Sequence, residues 1–523
     1  MIARIVMAAV LLPCLAAAAS AQTYTVLHEF GSVPNDGYEA TGPLVSDGVK
    51  LYGVTLDGGD NDGGTIYSLN LDGSGYAVLH SFEHGDEPVG GLALADGALY
   101  GTTCHGGAND DGMVYSIKTD GSGFTPVYSF LSPGDDPDPS PVTVSDGTIY
   151  GQLENDPDGG FDDGVVYSVK TDGTGYTVLT GFGNQPGDGE LPWGKLLLEG
   201  GALYGATKYG GPYYAHLGTL FSLPAAGGAH SILCGFSGDD GLLPVGGLVS
   251  DGPRLYGKAL SGMDMVGPTA RMGSPFILPG SCVFAIDKSG AGYTILRTFD
   301  IDATFVLNDG LALDGNRLYG IVNGIAGLDG TPGFFNPGQL FSIDTNGAGY
   351  RVLHMFDGLA KGKGAMPSSA PLILDGVAYG ATIYGGKEDD GVIYSFSIPS
   401  PPITLTPNRS EFFSTDYIAV RANVAAIPGR CIPFIRVTPP SGQPLYCVQG
   451  RGFTEVPTPF LGFPGIVTVP APITDYPVFD TLFRGMPLGE YTLEGGAIDV
   501  EKTTDLLNPV YVGPVDSQTL VIR

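Results

Sequence analysis

The sequence has little positive charge, few cysteines and no long apolar run after its N-terminus. Its 523 residues include 24 Lys and Arg against 55 Asp and Glu, which gives a net charge of −31. Most of the acidic excess lies before residue 400. A surface of this sign repels nucleic acids and anionic membranes, so neither is expected as a partner. No later segment approaches the roughly 20 apolar residues of a membrane-spanning helix, so no membrane span is expected.

The motifs of several common catalytic classes are also missing. The six cysteines include no Cys-x-x-Cys pair, which excludes a zinc ribbon and a thioredoxin-like site. There is no G-x-S-x-G elbow, no H-E-x-x-H motif, no P-loop and no G-x-G-x-x-G after a strand. A glycosidase with a pair of carboxylates stays open, because its two acids need not be close in sequence.

The N-terminus has the pattern of an export signal. Arg4 supplies the positive charge, an apolar run extends from Ile5 to Ala19, and Ala19-Ser20-Ala21 is a small-x-small cleavage site. We therefore predict a signal peptide over residues 1–21, cleavage near Ala21, and a secreted or periplasmic protein.

The sequence contains a repeat of three motifs, each present seven times. An aromatic residue followed by a small one recurs as IYS at Tyr67 and LFS at Phe221. Another motif runs from YTVLHEF at Tyr24–Phe30 to YRVLHMF at Tyr350–Phe356. A Tyr-Gly pair precedes the IYS motif at intervals of 48 to 63 residues. Its tyrosines are Tyr52, Tyr100, Tyr150, Tyr204, Tyr256, Tyr319 and Tyr379.

Each repeat predicts four short antiparallel strands, an apolar run followed by the three motifs. Asp-Gly turns between them suit the positive backbone angles of tight hairpins. Four strands in about 50 residues are typical of a propeller blade, so residues 22–398 predict an all-β, seven-bladed β-propeller. The array begins with the strand Tyr24–Phe30 and ends with the strand Gly391–Ser397. We expect the first strand to complete the last blade and so remove the raw edges of the ring.

The repeat resembles the Gloeo/Verruco tandem-repeat family, called GloVer, which is found in exported bacterial proteins. The resemblance rests on the pattern DGxLYGxTxxGGxxxxGxIYSxxxDGSGYxVLHxF. This pattern is nearly complete in Asp96–Phe130 and looser from Gly246 to Phe356. The resemblance implies a bacterial, exported protein and no established enzyme activity.

The repeats stop at a proline-rich joint, residues 399–402. Alternating runs such as Tyr417–Val424 and Tyr491–Ile498 then predict six or seven strands. Residues 403–523 are similar to the immunoglobulin-like modules of exported bacterial proteins, and we predict a β-sandwich. Cys431 and Cys447 in this region are expected to form a disulfide between strands in an oxidising compartment.

Acidic residues are concentrated in the connections between the second and third strands of the repeats. In a propeller these connections share one face with the connections between blades, and both are long here. Carboxylates on flexible loops suit Ca²⁺, whereas Asp-Asp-Gly before a strand is also ordinary turn chemistry, and both interpretations stay open. No other cofactor is indicated. The candidate calcium ligands are Asp60, Asp62, Asp110, Asp111, Asp162, Asp163, Asp389 and Asp390.

Aromatic residues in one repeat provide a candidate glycan site on the same face. Aromatic rings stack on sugar rings, and neighbouring carboxylates accept hydrogen bonds from sugar hydroxyls. Trp193 aligns with Val89 and Val245, so packing between blades is the alternative for it. The candidate residues are Trp193, Tyr209, Tyr213, Tyr214 and His216.

Three histidines, His28, His80 and His354, occupy one repeat position on the outermost strands. Equivalent outer positions lie far apart around a ring, so we interpret these histidines as packing residues rather than a metal site.

The sequence thus favours an exported, non-enzymatic binding or structural protein with a glycan or extracellular protein as ligand. The alternative is a carbohydrate-active hydrolase or lyase that uses acidic loop residues.

Overall fold

The computed structural model describes residues 23–131, 138–155, 163–212, 217–237, 241–261, 280–299, 310–323, 338–356 and 363–398, and ten C-terminal strands. Regular structure in these residues is entirely β, and they include no helix that could cross a membrane. Tyr24–Ile398 forms one compact unit, and the C-terminal strands belong to a second. The predicted signal peptide, residues 1–21, and the joint, residues 399–402, lie outside the described residues.

Seven antiparallel sheets follow one another along the chain, and six of them consist of four consecutive strands in sequence order. Blade 1 has strands Gly37–Ser46, Lys50–Gly58, Thr65–Asn70 and Ala77–Ser81. Blade 2 has Pro88–Ala95, Ala98–Thr103, Met113–Lys118 and Thr125–Ser129, and blade 3 has Thr143–Ser145, Thr148–Leu153, Val165–Lys170 and Thr177–Gly181. Blade 4 has Gly189–Glu199, Ala202–Gly210, Thr219–Pro224 and Ser231–Gly235. Blade 5 has Leu242–Ser250, Arg254–Ser261, Gly280–Asp287 and Thr294–Phe299, and blade 6 has Ala312–Asp314, Arg317–Val322, Gln339–Asp344 and Arg351–Met355.

Blade 7 takes its outer strand from the N-terminus, which closes the ring. Gly364–Pro367 and Leu372–Leu374 pair with Val377–Gly385, and this strand pairs with Val392–Ser397. The strand Tyr24–Glu29 then pairs antiparallel with Val392–Ser397. The predicted seven-bladed β-propeller and its closure by the first strand are confirmed.

The closing strand makes the same backbone hydrogen bond that stabilises the outer strands of the other blades. Phe82 N–H donates to the Gly64 carbonyl at 3.0 Å within blade 1, and Phe30 N–H donates to the Gly391 carbonyl at 3.1 Å across the closure. Phe30 and Phe82 are both buried. The N-terminal strand is therefore an integral part of the last blade.

Each Tyr-Gly glycine lies directly opposite the aromatic residue of the third strand. Gly53 faces Tyr67 and Gly101 faces Tyr115 in the strand registers. A methyl group on either glycine would overlap the tyrosine ring. The ring thus covers the backbone of the neighbouring strand, which explains the recurrence of both motifs. The other pairs are Gly151–Tyr167, Gly205–Phe221, Gly257–Phe284, Gly320–Phe341 and Gly380–Tyr394.

The outer strands of neighbouring blades are joined by pairs of side chains near the rim. His28 stacks on Tyr76 with ring centroids 3.5 Å apart, and His80 stacks on Phe124 at 3.7 Å. Arg297 and Tyr350 form the equivalent contact as a cation–π pair at 3.7 Å. The histidines are therefore packing residues, as the sequence predicts. Three further junctions are Tyr128–Tyr176, Thr180–His230 and His354–Tyr24.

In the described part of the C-terminal unit, ten strands form two sheets, and several of them are only two to four residues long; six or seven strands were expected. One sheet has three strands and the other seven. Cys431 and Cys447 lie on neighbouring antiparallel strands, and the register that pairs Arg436 with Tyr446 places Cys447 level with Ile435, four residues from Cys431. The side chains of this unit lie outside the described residues, so the disulfide and the immunoglobulin-like sandwich stay predictions. The strands are Ile403–Pro407, Glu411–Phe412, Tyr417–Val424, Ile427–Thr438, Leu445–Val448, Gly452–Thr454, Val467–Val469, Ile473–Leu482, Gly489–Asp499 and Asp516–Ile522.

The glycine contact predicts opposite effects for two substitutions in blade 2. Gly101→Ala should lower the free energy of unfolding by about 1–3 kcal/mol, because the added methyl group overpacks the core. Tyr115→Phe should leave it unchanged or raise it, since the buried Tyr115 hydroxyl has no hydrogen-bond partner among the described residues. Urea melts of the purified variants measure both effects. A Tyr115→Leu background should reduce the cost of Gly101→Ala, and additive costs would contradict the contact.

The closure predicts that deletion of residues 22–30 lowers the melting temperature of the propeller. The deletion exposes the edge of Val392–Ser397 and removes the buried Phe30 ring. Phe30→Ala alone should cost about 3–5 kcal/mol. Thr25→Ala, on the exposed side of the same strand, is the control and should melt like the wild type. A truncated protein with the wild-type melting temperature would disprove the closure.

Candidate functional site

The propeller has one face with long loops and one face with short turns. The loop between the second and third strands and the connection to the next blade lie side by side, as the hydrogen bond from Phe82 to Gly64 shows for blade 1. We call this the loop face. The opposite face carries tight turns that often contain Asp-Gly, such as Asp47-Gly48, and we call it the turn face. Among the described candidates, the aspartates belong to the loop face, and Tyr209 lies at the end of its strand next to it.

Two candidate calcium ligands of blade 1 are engaged by neighbouring side chains. The Asn35 amide donates to Asp60, and the Tyr38 hydroxyl donates to Asp62 at 2.9 Å. The bond to Asp62, with burial and nearby carboxylates, raises the pKa of Tyr38 to about 12. Burial, Asp62 and other neighbours raise the pKa of Asp57 above its usual value. The loop of blade 1 is thus a strongly electronegative surface whose carboxylates repel each other.

Asp110 and Asp389 occupy equivalent positions and act as turn residues. Both have left-handed backbone angles, with φ of 66° and 71°. Asp110 accepts a hydrogen bond from Gly106 N–H at 3.1 Å, and Asp389 accepts one from Gly385 N–H at 2.9 Å. Each carboxylate therefore stabilises its own loop, which supports the turn interpretation of the sequence for these two residues.

The remaining acidic candidates contribute carboxylates from separate blades. Asp111 belongs to blade 2, Asp163 to blade 3 and Asp390 to blade 7, whereas Asp162 lies outside the described residues. Burial and the charges of Glu388 and Asp389 raise the pKa of Asp390. Within the described ranges, no three His, Cys, Asp or Glu side chains come together as a metal-binding group. Calcium binding therefore stays a prediction.

The predicted aromatic residue Trp193 lies between blades 3 and 4. It pairs with Ala206 in the strand register and is half-buried. The Lys208 ammonium lies 3.6 Å from the centre of its ring and forms an ion pair with the buried Glu154 of blade 3. Burial raises the pKa of Glu154, and Lys208 opposes this effect. One face of Trp193 is therefore already occupied by a cation.

Tyr209 is an exposed aromatic residue of this repeat. Its side chain is 44% exposed, and its register partner on the first strand is Glu190. Tyr384 occupies the equivalent position in blade 7 and is 41% exposed. Tyr213, Tyr214 and His216 of the predicted glycan site lie outside the described residues.

Two buried His–Asp pairs connect the loop face to the outer rim. His28 Nε2 lies 2.9 Å from Asp36, which also accepts a hydrogen bond from the Tyr76 hydroxyl. In blade 4, His230 Nε2 lies 2.7 Å from Asp188. The two aspartates hold equivalent positions before their first strands, and each accepts a hydrogen bond from the next glycine N–H. These pairs fix the connection between blades to the strand below it.

The sequence did not indicate the cavity on the propeller axis. Its volume is about 430 Å³, and all seven blades line it with residues of their first strands or of the segments just before them. Apolar residues such as Leu197 and Val249 form most of its wall. Among the described lining residues, Lys195 is the one that carries a charge. Alignment of WGKLL with VGGLA and VGGLV would have identified Lys195 as the exceptional residue of this position.

The comparisons with known proteins identify the repeat. A model of the Gloeobacter/Verrucomicrobia repeat matches residues 15–158 and 132–332, more than half of the chain. The chain belongs to this repeat family. Among curated proteins, none matches the sequence.

The chain is also similar to solved structures at low sequence identity. Oligogalacturonate lyase from Vibrio parahaemolyticus has 11% sequence identity and a TM-score of 0.45, over 72% of this chain and 94% of the lyase. A polysaccharide lyase described as an ulvan lyase has 10% identity and a TM-score of 0.42, over 69% of this chain and 94% of that chain. Similarity at this level carries no conclusion about activity.

The acidic loops predict a melting experiment that separates calcium binding from charge screening. If blade 1 binds Ca²⁺, free ion at 100 times its dissociation constant adds about 2.7 kcal/mol to the free energy of unfolding. Asp60→Asn with Asp62→Asn should then abolish the rise in melting temperature. Melts in Ca²⁺, Mg²⁺ and chelator at equal ionic strength provide the comparison. Equal melting temperatures in all three would leave these residues as solvated turns.

Proposed function

We propose that this protein is an exported bacterial binding protein whose ligand docks on the loop face of the propeller. The ligand class is a glycan or an extracellular protein, and the protein itself does not act as an enzyme. The proposal includes cleavage of the signal peptide near Ala21 and an immunoglobulin-like sandwich after the proline-rich joint.

The observation that supports the proposal most is the exposed Tyr209 ring beside a row of polar groups in blade 4. Tyr209 lies at the loop end of its strand, and its register partner is Glu190. Lys208, the preceding residue, carries the ion pair to Glu154. An exposed ring provides an apolar platform for a sugar or a protein loop, and nearby charged groups provide hydrogen-bond partners for hydroxyl or amide groups. Tyrosine in such positions is also typical of protein interfaces.

The charge of the protein restricts the ligand further. A net charge of −31 and the electronegative loop of blade 1 repel polyanions at long range. The proposed ligand is therefore a neutral or cationic glycan, or a protein surface of positive charge. Association with a cationic protein should be fast and sensitive to salt.

Glycan-array binding by the full mature chain, with Ca²⁺ and with chelator, tests the proposal. Tyr209→Ala should weaken binding to a positive glycan by at least about tenfold, the effect expected of one central aromatic contact. Tyr384→Ala is the matched control, since it removes an equally exposed tyrosine from the equivalent position of blade 7. If Tyr209→Ala binds every ligand like the wild type, blade 4 is not the binding surface.

The same glycan panel separates binding from catalysis. Incubation with the purified protein should leave the polysaccharides intact, as judged by reducing ends and by the ultraviolet absorbance of unsaturated products. Turnover of any polysaccharide would contradict a non-enzymatic function and would favour a hydrolase or a lyase.

A further inference from the structure

The innermost ring of the propeller contains one charged residue among small and cyclic ones. Lys195 precedes the buried Leu196, as Pro43 precedes Leu44 and Gly247 precedes Leu248. In each blade, the strand register pairs the Tyr-Gly tyrosine with a residue of the first strand. The residue two positions before that partner lies at this level. The other residues at this level are Pro43, Gly91, Pro141, Gly247, Gly310 and Ala370.

The cavity that this ring lines is apolar and large enough for a small molecule. Its volume of about 430 Å³ lies within the range of about 300–1,000 Å³ that is usual for ligand sites. Thr143 and Lys195 are the polar side chains of its lining. The Thr143 hydroxyl already donates a hydrogen bond to the Leu196 carbonyl at 2.5 Å. The Lys195 ammonium is therefore the main polar group that a ligand would meet.

The cavity extends toward the turn face rather than the loop face. Its lining includes Val45, Leu198 and Val249, which adjoin the turns at the ends of their strands. On the other side, backbones approach each other closely at glycines, with Gly42 against Gly90 and Gly194 against Gly246. A ligand of this cavity would therefore lie between the first strands of the blades and not on the loops that form the loop face.

Lys195 has no counter-charge in the described part of the chain. No Asp or Glu of these residues forms an ion pair or hydrogen bond with it, and burial lowers its pKa. Lys195 is partly buried, and an ammonium that loses part of its hydration without an opposite charge in return is destabilising. An anion next to Lys195 would remove that cost.

We propose that the axial cavity binds a small amphiphilic carboxylate, with its apolar body against the leucine and valine side chains and its carboxylate against Lys195. The apolar lining of the cavity favours an apolar body. The single ammonium selects one negative charge over a neutral polar group. This site is independent of the function proposed for the loop face.

Isothermal titration of the full mature chain with three probes of equal length tests the site. Octanoate should bind with a stoichiometry of one and at least about tenfold more tightly than octanamide, and octylammonium should not bind. Lys195→Met keeps the length and apolar character of the side chain and should make octanoate no better than octanamide. Lys118→Met, which removes an exposed lysine next to a turn-face hairpin, is the control and should keep the wild-type preference.

Chemical labelling of the unaltered protein gives a second, independent measurement. Reductive methylation followed by peptide mapping should modify Lys195 in the free protein, and octanoate should protect it whereas octanamide should not. Equal affinities for octanoate and octanamide, an unchanged preference in Lys195→Met, or methylation of Lys195 that octanoate does not reduce would each overturn the proposal. A change in loop-face glycan binding has no bearing on these results, so the two proposals fail separately.

Discussion

The contact between one glycine and one aromatic ring in every blade determines how the blade is assembled. Gly53 faces the ring of Tyr67 on the third strand, and Leu44 of the first strand approaches the same glycine. The glycine thus lies between the ring and the leucine, and three strands are held in a fixed register. Blade 4 repeats the arrangement with Gly205, Phe221 and Leu196. Because the leucine is fixed, the residue before it must lie at the axis. The same contact that builds the core therefore also selects the residues that line the cavity.

The sequence predicted the blades well because their motifs are local and repeated. Asp-Gly turns, the Tyr-Gly pair and the aromatic strand all lie within about 50 residues, so their strand pairing follows from short connections. The closure followed from the order of the motifs at the two ends. The histidines at positions 28, 80 and 354 were correctly interpreted as packing residues, but their partners were not evident. Those partners lie in the next blade, about 45 residues away in sequence for the first two, and only the curvature of the ring brings them together.

The candidate site could be predicted less well, for a different physical reason. Loop residues from several blades meet only if the loops bend toward each other, and a sequence contains no distances between loops. Asp110 and Asp389 were candidates both for calcium binding and for ordinary turns, and each has its carboxylate directed at its own backbone. Trp193 was a candidate for glycan binding with packing between blades as the alternative, and Lys208 covers one of its faces. Lys195 was not predicted as a site residue, because a lysine in a strand is common and only the strand register shows that this one lies at the axis.

The closure of the ring has a consequence for the order of folding. The strand Tyr24–Glu29 leaves the ribosome first, and its partner Val392–Ser397 is made only after almost all of the propeller. Until then one strand edge at each end of the nascent array is unpaired, and such edges promote association between chains. This pairing has one of the greatest sequence separations that the propeller allows. Such a separation slows the last step of folding. This one contact predicts a kinetic intermediate with formed blades and an open ring. It also predicts that the yield of this intermediate depends on protein concentration.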